Sequence, residues 1–69
     1  MSVHKVIEIL AQSSEGFEDA IQQAVAEASE TVSGIKNVYV KDMQAVVENN
    51  RVTAYRVNVK ITFQVADNR

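Results

Sequence analysis

Cysteine is absent from this chain of 69 residues, so no disulfide can brace it. A single histidine, His4, leaves no Cys/His cluster from which a structural zinc site could be built. No apolar run approaches the ~20 residues that a membrane-spanning helix needs. The opening lacks the basic, apolar and small-residue order of a signal peptide, and the expected location is cytoplasmic. Catalytic signatures are missing as well: no nucleophile stands beside a base, no glycine-rich phosphate loop is present, and no carboxylates are paired at a useful spacing. These absences lead to the expectation of a non-enzymatic single domain over residues 1–69. At that size a lone hydrophobic core is marginal, and with disulfides and zinc set aside, self-association is the remaining common support.

The net charge of −2 conceals an asymmetry. Glu15, Glu18, Asp19, Glu27 and Glu30 follow one another with no base among them, whereas six bases face three acids from Lys36 onward. Basic residues are too few and too interrupted for nucleic acid. A split of this kind can steer a small acidic ligand or let copies of the chain dock on one another.

What is present is strongest in the stretch "AYRVNVKITFQV", residues 54–65. Tyr55, Val57, Val59, Ile61, Phe63 and Val65 alternate with Arg56, Asn58, Lys60, Thr62 and Gln64, the period of a strand with one apolar and one polar face. Upstream, "VHKVIEILAQ" (3–12) reads as a first strand. Val3, Ile7 and Ile9 lie on one of its faces, Val6 and Leu10 on the other beside Glu8, so both faces call for a cover. A helix is predicted over about 14–33: Ser13 or Ser14 supplies a cap, Glu15, Glu18 and Asp19 suit its positive end, and Gly34 suits its C-terminal turn. Its apolar stripe is Phe17, Ile21, Ala24, Val25, Ala28 and Val32.

The remainder reads as a hairpin with strands at about 35–48 and 51–66, joined by Asn49-Asn50 in a type I′ turn with Glu48 and Arg51 facing across its base. In its first strand the apolar parity slips from Val38 and Val40 to Met43, Ala45 and Val47, which marks a bulge or bend near Asp42. A β-α-β-β chain of this kind is an α+β fold whose three strands order as 1-3-2, all neighbours antiparallel, with the helix on one face. The helix spans ~30 Å and the hairpin ~50 Å, so roughly 20 Å of hairpin, with Val46, Val47 and Val52, awaits another subunit.

The opening Lys5-Val6-Ile7-Glu8, the serine-rich entry to an acidic helix and the Tyr-x-Val-x-Val-Lys-x-x-Phe pattern of Tyr55–Phe63 together resemble the dodecin family over nearly the whole chain. The resemblance implies a hollow homo-dodecamer of four trimers, whose flavin-binding members hold flavin pairs between subunits for storage or quenching. It also implies an inter-subunit ligand pocket, here containing Asn37, Tyr39, Gln44 and Arg56. Flavin-binding members carry a tryptophan and a glutamine where this chain resembles them with Asn37 and Arg56. Asparagine offers no ring, forgoing stacking of ~1–3 kcal/mol. Arginine donates only, and so cannot mimic an amide edge. These departures argue against riboflavin or FMN as the cofactor and leave open another small molecule, or a cation such as calcium. Asp42 and Glu48 can supply oxygen ligands where copies meet, although no single-chain calcium loop is present.

Plainer readings of the same residues stand beside these. Arg56 can grip a carboxylate or phosphate, or, with Lys60, pair with Glu8 or a neighbouring subunit's acids. Asn37 suits a strand edge, Tyr39 a subunit contact, His4 and the acidic helix plain solvent exposure. A purely structural assembly is compatible with every one of them.

Overall fold

The alternating stretch becomes the middle of a sheet. The computed structural model describes residues 2–67; residues 1, 68 and 69 of the expected domain lie outside that range. Strand β1 is Ser2–Ser13, helix α1 Phe17–Ser29, strand β2 Ile35–Glu48 and strand β3 Arg51–Asp67. The sheet order is β1-β3-β2 and both pairings are antiparallel, as the chain's connectivity requires. Val57, Val59 and Ile61 on β3 are fully buried, at 0% exposure, beneath α1. The helix meets them with Ala20, Ala24 and Ala28, a stripe at four-residue spacing whose small side chains let its backbone lie close to the sheet. Ile7, Ile9 and Ala11 of β1 and Val38 and Val40 of β2 flank this core. An edge-to-face contact between Phe17 and Tyr55, centroids 5.1 Å apart, ties the start of the helix to β3. Ala20 is absent from the stripe read in the sequence, which shares Ala24 and Ala28 with the buried row.

The helix is shorter at both ends than the sequence suggests. Gly16 is its N-cap and no side chain caps it. Ser13 is still part of β1, and its hydroxyl accepts from the Glu15 backbone N–H at 2.9 Å while donating to the Asp19 carboxylate at 2.6 Å. The serine therefore shapes the strand-to-helix turn instead of capping. At the other end Glu30 closes the helix in a right-handed conformation. Gly34, with φ of 77°, lies beyond it and turns the chain into β2, its carbonyl accepting from the Gln64 N–H at 3.0 Å.

Asn49 and Asn50 have φ of 54° and 63°, the positive pair that a type I′ turn requires, and Glu48 faces Arg51 across it. The expected slip near Asp42 is a register shift between Val40 and Asp42, and further shifts follow Ile35 and Val46. The molecule measures 56 Å along its length. Its 13-residue helix covers only ~20 Å of that. From Tyr55, where the first helical residue packs, to the Asn49-Asn50 turn, about 17–20 Å of hairpin has no helix over it, close to the length expected from the sequence. Val47 and Val52 on the overhang are exposed, and Val46 is half-buried.

Candidate functional site

Because α1 covers Val57, Val59 and Ile61, the residues between them present Arg56, Asn58, Lys60 and Thr62 on the opposite face. Strand register arranges this outer face in rows. Gln12, Arg56 and Gln44 lie side by side, then Leu10, Asn58 and Asp42, then Glu8, Lys60 and Tyr39, then Val6, Thr62 and Asn37. The four residues singled out in the sequence thus share one face. Gln44 stands directly opposite Arg56, and Asn37 and Tyr39 are successive outward residues of β2. The two pairs are not brought together within the chain: along β3 the Arg56 row lies about 14 Å from the Tyr39 row and about 20 Å from the Asn37 row.

Arg56 is half-buried and anchored. Its Nε and Nη2 donate to Gln12 Oε1 at 3.1 and 2.8 Å. A neutral amide orients the guanidinium without neutralising it, and no carboxylate pairs with it among the described residues. The ion pair with Glu8 considered for Arg56 and Lys60 is instead made by Lys41, with Nζ 3.5 Å from Oε2. Lys41 stands two residues after Tyr39 on the same outer face, and its long side chain crosses β3 to reach Glu8. Both partners are about half exposed, at 47% and 46%, so solvent screens the pair and it contributes little to stability. The Glu8 carboxyl is held below its ordinary range first by the Asn58 side-chain amide, then by the charge of Lys41, with Lys60 a smaller contributor. Asn58 Oδ1 is buried and has no hydrogen-bond partner among the described residues.

This face also carries apolar side chains with nothing over them. Val6 and Leu10 of β1 and Tyr39 of β2 are exposed, Leu10 and Tyr39 by 64% each. The doubly apolar first strand of the sequence is thereby confirmed, one side against the helix and the other bare.

On the helix side, a concave pocket of about 420 Å³ is lined by Glu15, Gly16, Glu18, Asp19 and Gln22. None of the four predicted ligand residues reaches it. Asp19 is held below the usual carboxylate range by the Ser13 hydroxyl and then by Gln23, which donates to it at 2.6 Å. Among the described residues no three of His, Asp and Glu are grouped to hold a metal ion. Asp42 and Glu48, six positions apart on β2, are separated by about 20 Å of strand, so one chain cannot close a calcium shell with both. No helix among the described residues is long and apolar enough to cross a membrane. Gln12 and Lys41 were not foreseen; the first was available from the β1–β3 register, the second from its place two residues after Tyr39 on the outer face.

Comparison with known proteins converges on one family. The dodecin family model matches residues 3–66. The calcium dodecin of Mycobacterium tuberculosis is 31% identical over 65 residues, 94% of this chain and 92% of that protein. A solved variant of the Thermus thermophilus dodecin superposes with a TM-score of 0.90 at 30% identity, covering 97% of this chain and all of that one. The crystal structure of the M. tuberculosis calcium dodecin, a calcium-chelating antigen with a novel calcium-binding site, gives 0.81 at 28% identity over 99% and 97% of the two chains. With the β-α-β-β order, the 1-3-2 sheet and a sequence match spanning almost every residue, this chain belongs to the dodecin family.

Proposed function

We propose that copies of this single-domain chain assemble into a hollow homo-dodecamer of four trimers and that the particle is a non-enzymatic binding or storage compartment for a small molecule. The observation that carries this reading is the uncovered sheet: about 17–20 Å of hairpin beyond the Phe17–Tyr55 contact, and Val6, Leu10 and Tyr39 bare on the face away from the helix. Asn37 and Tyr39 of one copy complete a pocket with Gln44 and Arg56 of another, which explains how pairs about 14–20 Å apart on one strand face serve one ligand. Flavin is a poor fit to these residues. Asn37 has no ring to stack, and Arg56 donates without accepting.

Flavin fluorescence during titration tests the pocket. The parent chain should quench riboflavin or FMN weakly or not at all, and Asn37→Trp with Arg56→Gln should gain affinity beyond the sum of the single changes, since contacts to one ligand couple. Tight quenching by the parent makes the flavin-storage alternative correct. A double variant that stays inert refutes the assignment of these residues to a flavin-shaped pocket, and an assembly that takes up no small molecule at all would be purely structural.

A second reading, a calcium-binding assembly, is favoured by the 31% identity to a calcium dodecin. It requires Asp42 or Glu48 from several copies to converge, because one chain does not bring them together. Calcium titration of the assembled particle, with Asp42→Asn and Glu48→Gln as controls, decides it.

A further inference from the structure

We propose that the row Gln12–Arg56–Gln44 is an oxyanion site, taking the carboxylate or phosphate group of the bound molecule. The inference rests on the reading of the outer face as a ligand surface and names the chemistry of what it binds. Arg56 spends the N–H on Nε and one on Nη2 on Gln12 Oε1, at 3.1 and 2.8 Å. The N–H groups of Nη1 and the remaining one of Nη2 have no acceptor among the described residues, and a guanidinium has no acceptor of its own to offer. On its other side stands Gln44, directly in register, whose amide can donate alongside. Asp42, one row away, forms no ion pair with Arg56, and the acid Glu8 is taken by Lys41. The result is a half-buried, uncompensated cation already held in place by a neighbour, so little side-chain freedom remains to be lost on binding. Lys60 on the same face adds positive charge two rows along. A planar fork with free parallel donors matches a carboxylate or a phosphate and excludes cations.

The test is calorimetric titration of the full chain with sodium phosphate and, separately, sodium succinate, at ionic strength held constant with sodium chloride. Saturable binding of at least one anion above the chloride background is expected, and which of the two binds tells phosphate from carboxylate. Arg56→Gln should weaken that binding roughly tenfold or more, the loss that accompanies a charge-assisted hydrogen-bond pair. Gln12→Glu should do the same without removing the arginine, because a carboxylate on the side that Gln12 already holds neutralises the guanidinium and repels a second anion. Parent protein that binds neither anion overturns the proposal, as do variants that bind as tightly as the parent. Arg56→Gln that scatters the particle while neither anion binds the parent also overturns it, since a neighbouring copy's acid then fills the fork. Native mass spectra of the same samples separate the two readings. An assembled particle blind to both anions removes only the oxyanion site, whereas a monomer that binds them removes only the assembly.

Discussion

Leu10 and Ile61 are both large aliphatic residues on paired strands, and substituting each distinguishes the two surfaces of the sheet. Burying a leucine side chain completely is worth ~1.5–3 kcal/mol. Leu10 is 64% exposed, so about two-thirds of that, ~1–2 kcal/mol per subunit, is still to be gained if another copy covers it. Leu10→Ser should therefore leave the subunit fold nearly intact while weakening association roughly five- to thirtyfold per contact. Ile61, fully buried beneath α1, should behave in the opposite way. Ile61→Ala removes core volume and should cost ~2–5 kcal/mol of folding stability, enough to unfold a marginal domain. Light scattering coupled to size exclusion over a dilution series reads association, and circular dichroism reads the fold. If Leu10→Ser assembles as the parent does down to the lowest concentration, the outer face is ordinary solvent surface and the reasoning fails.

Two further outcomes follow from local geometry. Gly34→Ala forces a Cβ to within 3.2 Å of the Gln64 carbonyl at a φ of 77°, and a shift in urea midpoint equivalent to about 1–2 kcal/mol is expected; an unchanged midpoint would mean this turn is not under strain. The Glu8 carboxyl, lowered by Asn58 and then by Lys41, contributes stability that is present above its unfolded pKa and lost as pH falls through its lower folded value. Urea midpoints measured from about pH 6 downward should fall more steeply for the parent than for Glu8→Gln, and coincident curves would show that the Glu8 contacts are absent in solution.

Most of the fold was legible because its signals are local and repeated. The alternation through residues 54–65 gives the central strand and its buried side, and the Asn49-Asn50 pair gives the turn. Even the slip near Asp42 was readable, since a bulge displaces the apolar parity of everything after it. The helix limits were not, because a serine before an acidic run looks the same whether it caps a helix or, as Ser13 does, closes a strand-to-helix turn onto Asp19. Ala20 stands one turn before Ala24 and Ala28 and completes the buried row that the sequence stripe took up only from Ala24. On the outer face, the structure places Asn37, Tyr39, Gln44 and Arg56 on one side of the sheet, and their separation into two pairs depends on a strand register that the sequence does not spell out. The partner of Glu8 was misread for a related reason: Lys60 lies directly opposite it, but Lys41, on the same face of the far strand, reaches across β3 to the carboxylate.

A native mass spectrum of the purified protein at micromolar concentration bears on assembly and contents at once. Each chain weighs 7.6 kDa, and the expected result is a single dominant species of twelve chains, with any retained small molecule visible as added mass. A folded monomer under the same conditions would contradict the proposal, because the bare outer face and the uncovered hairpin would then be stable in water with nothing laid against them.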